Sequence, residues 1–159
     1  MRVAIGADHA GAGLKQTVKA SLLEDHYEVL DVGTDGDAPV DYPDYAEAVA
    51  ETLREHKADR GIILCGSGVG ASMAANRIPG IRAGLCHDTY SAHQGVEHDD
   101  MNVVVFGARI IGPALAYELA DAFIAAKFIA NEERFVRRFN KVKAIEAKYL
   151  CGQGSTSRA

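Results

Sequence analysis

The segment Ile63-Leu64-Cys65-Gly66-Ser67-Gly68-Val69-Gly70-Ala71 runs from apolar residues into a glycine-rich turn and then into small residues. Glycines let successive backbone N–H groups point into one concavity at the start of a helix, which can hold an anion or a developing oxyanion. Cys65 heads that turn, where the helix would lower a thiol pKa below its usual value of about 8.5 and raise the thiolate fraction near neutrality. A thiolate beside such a cradle is equipped to move a proton next to a carbonyl. Two plainer alternatives remain open, namely a tight turn whose small residues only permit close packing, and a buried structural cysteine. Ser67 is likewise open between bonding a substrate oxygen and stabilising the turn. A dinucleotide site is a further alternative, because Gly66-x-Gly68-x-x-Ala71 meets the relaxed fingerprint. That alternative is weakened because the loop follows the third apolar run, and because 159 residues leave little room for a separate substrate domain. No Gly-Lys-Ser/Thr follows at the spacing of a Walker A loop.

Other reactive side chains fall where strand candidates end. Asp8 and His9 follow the first, Asp41-Tyr42-Pro43 comes after the second, His87 and Asp88 follow the fourth, and Gly107-Ala108-Arg109 the fifth. Open parallel sheets bind ligands beyond the carboxyl ends of their strands, so these positions are candidates together. Arg134 and Arg138 are four apart and share a helix face, which suits a phosphate clamp or, more plainly, a solvated basic face. His98 and Asp99 precede the fifth strand and belong to the opposite edge. A role for them requires a long excursion or a neighbouring subunit. His26, His56, His87 and His93 read as surface or capping residues, Cys86 as strand filling and Cys151 as part of the tail.

The elements that must position these groups are visible as periodicity. Val3–Ala7, Glu28–Val32, Gly61–Cys65, Ile81–Cys86 and Asn102–Phe106 are apolar runs bounded by glycine or charge, hence five strands. Between them Leu14, Val18 and Leu22, then Tyr45, Val49 and Leu53, step by four along helix faces. Strands alternating with helices predict a five-stranded parallel sheet in a three-layer α/β/α sandwich, through right-handed crossovers. Two C-terminal helices are expected, one over 113–126 and one carrying Phe135, Phe139, Val142, Ile145 and Tyr149 as an apolar stripe. That stripe would cover the chain's own sheet or a partner. Residues 1–150 are read as one domain and 151–159, rich in glycine and serine, as a flexible tail.

Composition narrows the function. A net charge of −5 argues against nonspecific nucleic-acid binding, which needs a clustered basic surface. The apolar runs are far short of the roughly 20 residues of a membrane span, and the start lacks the order of a secretory signal. Three cysteines form no CxxC pair and no zinc-like spacing with the six histidines. Neither a disulfide framework nor a metal is expected, and free thiols fit the cytoplasm.

Gly6-x-Asp8-His9-Ala10-Gly11, Asp41-Tyr42-Pro43, Cys65-Gly-Ser-Gly-x-Gly, Ala74-Ala75-Asn76-Arg77, Gly80-Ile81-Arg82-Ala83, His98, Asn102-Val103 and Gly107-x-Arg109 together resemble the type B ribose-5-phosphate isomerase family. The family also includes galactose-6-phosphate isomerase subunits. The likeness extends in order to about Tyr149. It implies a Rossmann-like fold, no cofactor, a sugar-phosphate substrate, and a homodimer, in some members paired into tetramers, with active sites at the subunit interface. By the same resemblance Cys65 matches the catalytic base of the cysteine branch, since Ala71 stands where other members carry a glutamate. His98 matches a ring-opening residue supplied by the neighbouring subunit. Asp8 matches a sugar contact, Tyr42 a pocket wall, and His9, Arg109, Arg134 and Arg138 the phosphate-binding set. Gly66, Gly68 and Gly70 match the loop that stabilises the intermediate.

Asp99 and Ser67 depart from the asparagine and threonine many members carry. The first bears on the sugar, because a carboxylate accepts hydrogen bonds but cannot donate them. Ribose 5-phosphate is the expected substrate. A tetrose, allose or galactose phosphate under the same chemistry, and a noncatalytic nucleotide-binding module, are the alternatives.

Overall fold

The computed structural model describes residues 1–150. The expectations for the tail, Cys151 included, lie outside the described residues. Five strands, β1 (Arg2–Ala7), β2 (Glu28–Asp31), β3 (Arg60–Cys65), β4 (Ala83–Leu85) and β5 (Val103–Gly107), form one parallel sheet in the order β2-β1-β3-β5-β4. Among the described residues six helices accompany the sheet: α1 (Ala12–Glu24), α2 (Tyr42–Arg54), α3 (Val69–Ala75), α4 (Thr89–Asp99), α5 (Pro113–Ala125) and α6 (Glu133–Tyr149). The three-layer sandwich expected from the alternation is what forms.

Both faces of the sheet are buried, which is why its central strands are near-continuous apolar runs rather than alternating ones. Val3, Ile5, Ile62, Leu64, Val104 and Phe106 face one core with α1, α4 and α5, including Val18, Leu22, Val96, Leu119 and Phe123. Ala4, Ile63, Val103 and Val105 face the other with Ala46, Val49, Ala71 and Ala75 of α2 and α3. Strand β4 is shorter than the apolar run Ile81–Cys86 suggests. Ile81 closes a turn onto the Ile78 carbonyl and the Arg82 N–H donates to the Asn102 side chain. Neither N–H is therefore free to extend the ladder. Among the described residues no helix is long and apolar enough to cross a membrane.

His26 and His56 sit just past α1 and α2 with φ of 64° and 56°. These left-handed positions close helices, so the capping expectation holds for both. The helical period of α1 hides a different surprise, because Lys15, between Leu14 and Val18, is fully buried. Its ammonium bonds both carboxylate oxygens of Asp31 at 2.8 and 2.9 Å and Asp35 at 2.7 Å. Burial pulls the Asp31 carboxyl upward, but donors on Lys15, Lys19 and the Gly33 N–H outweigh it and hold it below the usual carboxylate range. That stabilisation is complete above the unfolded value of about 4 and is lost as pH falls through the lower folded value. Asp31→Ala is expected to cost about 3 kcal/mol at neutral pH, since it leaves the buried ammonium with Asp35 as its remaining carboxylate partner. Chemical denaturation at pH 7 and at pH 3 checks this, and the variant should show the smaller loss on acidification.

Candidate active site

The strand order reverses between β1 and β3, so their carboxyl ends open the crevice where such sheets bind ligands. Leu64 pairs with Ala7, and the Asp8 N–H donates to the Leu64 carbonyl at 3.3 Å, which sets Asp8 beside Cys65. The Asp8 carboxylate is buried and accepts from the Gly11 N–H at 3.0 Å. Gly11 must be glycine here, because a Cβ would lie 2.5 Å from the Leu64 oxygen. His9 follows, its Nδ1 accepting from the Val40 N–H at 3.1 Å.

Cys65 is buried, and the Gly68 N–H donates to its sulfur at 3.2 Å. A backbone N–H aimed at sulfur meets the negative charge of a thiolate, the form of cysteine that acts as a base. Gly68 holds φ of 81°, a left-handed conformation, and a Cβ there would also strike Leu85. The turn therefore depends on glycine for conformation and for space. Ser67 Oγ accepts from the Val69 N–H at 3.3 Å, so the turn-stabilising role exists, while its side chain stays exposed. Gly70 and Ala71 lie in the first turn of α3, whose N–H groups have no intrahelical acceptor. The Tyr42 ring lies on Gly70, where a Cβ would sit 2.6 Å from it, and a Cβ on Gly66 would sit 3.6 Å from the Arg109 guanidinium. Cys86 does not duplicate Cys65, because burial and then Asp88 push its thiol up to about 11.

A second group lies at the other end of the molecule. His98 and Asp99 occupy the last turn of α4, at the amino edge of the sheet. The His98 ring stacks on Phe135 of α6 with centroids 3.9 Å apart, and Gln94 Nε2 lies 2.7 Å from its Nδ1. Arg134 lies over the same Phe135 ring at 4.7 Å, and Arg138 is exposed one turn on. Beside Asp99 a groove of about 610 Å³ is lined by Arg82, Met101, Ile145 and Tyr149, with no contribution from the glycine loop. One chain thus joins Cys65, Ser67, Gly66, Gly68, Gly70, Asp8, His9, Tyr42 and Arg109, and separately His98, Asp99, Arg134 and Arg138. The two groups are parted by the length of β5, five residues at about 3.3 Å each.

The model of the ribose/galactose isomerase family matches residues 3–142. The chain belongs to that family. Ribose-5-phosphate isomerase B of Escherichia coli is 41% identical over 147 residues, covering 92% of this chain and 97% of its own length. D-erythrulose-4-phosphate isomerase of Pectobacterium atrosepticum is 42% identical over 130 residues, covering 80% and 85%. The structure of Clostridium thermocellum ribose-5-phosphate isomerase B superposes with a TM-score of 0.90 at 42% identity, covering 94% of this chain and 99% of that one.

Within this member of the family, sequence reasoning passed over several residues to which the fold gives defined partners. His87, expected as a surface or capping residue, is half-buried, and its Nε2 accepts the Gly107 N–H at 3.0 Å at the strand end that leads into Arg109. Its place after β4 marked it as a candidate, but its acceptor role depends on β4 lying beside β5. His93 pairs with Glu97 at 3.1 Å, a helical spacing of four that was available in the sequence. Phe135 was read as one member of a stripe and is the ring on which His98 rests.

The contact of Gly70 with Tyr42 yields a separable effect. Gly70→Ala favours the helix by up to ~1 kcal/mol, yet it must push the Tyr42 ring aside. Thermal melting should be unchanged or raised while kcat/KM falls. In a Tyr42→Ala background the added methyl should have no kinetic effect.

Proposed function

We propose that this chain interconverts ribose 5-phosphate and ribulose 5-phosphate, with Cys65 moving the proton. The observation that carries the reading is the Gly68 N–H aimed at Cys65 Sγ, at a strand edge shared with Asp8, His9, Tyr42 and Arg109. The thiolate takes the proton from C2 of the open-chain aldose. The C–H electron pair becomes the C1=C2 bond, and the carbonyl pair moves onto O1. Loop N–H groups at Gly66 and Gly70 face that charge, which makes the enediolate accessible, while the Gly68 N–H serves the Cys65 sulfur. The O2 proton passes to O1, C2–O2 becomes the carbonyl, and the thiol returns its proton to C1. Ser67 positions the oxygens, Asp8 contacts the sugar and Tyr42 walls the pocket.

The reaction needs an open chain and a fixed phosphate. His98 takes the proton of the anomeric hydroxyl as C1=O1 forms and the C1–ring oxygen bond breaks, and the ring oxygen receives a proton in turn. His9, Arg109, Arg134 and Arg138 hold the phosphate, whose binding energy orients the reacting carbons. His98, Asp99, Arg134 and Arg138 lie at the far edge of their own sheet, so we assign them to the site of a second copy. This makes the working unit a homodimer with shared active sites, able to pair into a tetramer, and we place it in the cytoplasm.

A tetrose 4-phosphate is the second reading, favoured by Asp99 and by the likeness to the Pectobacterium atrosepticum enzyme. Its fourth oxygen carries the phosphate, so it cannot close a furanose ring. Turnover of ribose 5-phosphate, erythrose 4-phosphate and allose 6-phosphate decides between sugars, and calorimetry with NAD and ATP tests the nucleotide alternative. The pentose should give the highest kcat/KM. Nucleotide binding with no sugar-phosphate turnover would overturn the enzyme reading.

A further inference from the structure

We propose that Lys15, through the strap of residues 32–41, fixes His9 as the tautomer that offers Nε2–H to the substrate phosphate. This deepens the reading of His9 as a phosphate ligand and rests on it. An ammonium with no exposed surface is costly in a core, and an apolar side chain of similar volume would fill the space. What the ammonium adds is a tie between separate acceptors, Asp31 at the end of β2 and Asp35 in the strap. Gly33 lies flat on that tie, because a Cβ there would be 2.5 Å from the Ala7 nitrogen and 3.0 Å from the Lys15 stem. The Thr34 N–H donates to the Ala7 carbonyl at 3.0 Å, so the first half of the strap is fastened to the strand that leads into His9.

Residues 35–39 then cross open solvent, and the strap returns at Val40 to donate its N–H to His9 Nδ1. A backbone N–H can only donate, so Nδ1 is the acceptor and the neutral ring carries its proton on Nε2. The opposite tautomer would set two donors against each other. A phosphate oxygen accepts, and Nε2–H is the matching partner. Lys15 is therefore a positioning residue acting through Asp35 and Val40, and it touches no substrate itself.

The test uses the full chain with ribose 5-phosphate. Asp35→Ala removes the Lys15 and Gln16 bonds to the far part of the strap but keeps the Lys15–Asp31 pair, and Asp35→Asn keeps an oxygen that can accept from both. Ring ¹⁵N shifts of His9 report the tautomer, and steady-state kinetics separate KM from kcat. Asp35→Ala should show a mixture of tautomers and a KM raised roughly tenfold at little-changed kcat, the pattern of lost uniform binding. Asp35→Asn should resemble the unaltered protein. A His9 that stays wholly Nε2–H in Asp35→Ala, with KM unmoved, would overturn the proposal. His9→Ala tells the two failures apart. If it raises KM while Asp35→Ala changes nothing, the strap idea alone is wrong. If it leaves KM untouched, the phosphate does not meet His9 and both readings fall.

Discussion

Cys65→Ala is expected to reduce isomerisation by ~10⁴-fold or more, at the upper end of what losing a general base costs, while the sugar phosphate still binds. The side chain contributes one sulfur beneath the loop, whereas affinity rests on the phosphate donors and on Asp8 and Tyr42. The loss should therefore appear in kcat, with substrate affinity by calorimetry close to the unaltered value. Cys86→Ala is the matched control. A thiol pushed up to about 11 is almost wholly protonated at neutral pH, so this variant should keep its kcat. Near-normal turnover in Cys65→Ala, or an equal loss in both variants, would remove the thiolate from the mechanism.

The placement of Asp8 beside Cys65 was readable before folding because it depends on local rules. A strand that ends in Cys65 and runs into glycines fixes its own geometry, and parallel pairing then sets Asp8 beside it. Other features depend on packing that no periodicity reveals. Lys15 reads as one more polar position on an amphipathic helix, and only the approach of β2 and the strap turns it into a buried charge. His87 becomes an acceptor because β4 lies next to β5 rather than next to β3. The stripe on α6 was visible, but not what it would cover. Phe135 is buried and Phe139 half-buried, while Val142, Ile145 and Tyr149 remain exposed.

His98→Ala is expected to lower kcat/KM for ribose 5-phosphate by ~10²–10⁴-fold, because the furanose must open before C2 can react. Erythrose 4-phosphate needs no such step, so the same variant should lose little of whatever activity it has on the tetrose. Equal losses on both sugars would mean that His98 serves something other than ring opening. The location of His98 supplies a second, independent arm. Its ring is held by Phe135 and Gln94 at the amino edge, away from Cys65 of its own chain. Subunits bearing Cys65→Ala are expected to be nearly inactive, and those bearing His98→Ala strongly impaired on the pentose. In a mixed dimer one of the two sites receives both intact residues. Random exchange makes roughly half the pairs mixed, so an equal mixture should recover roughly a quarter of full activity. Isolated mixed dimers that remain inactive would place His98 and Cys65 in the same chain's site. Asp99→Asn then probes the sugar, because it removes a charge and adds a donor at nearly constant size. If Asp99 selects the substrate from its place beside His98, the ranking of pentose, tetrose and hexose phosphates should change. A uniform shift in all three would show that it acts only on the general field of the site.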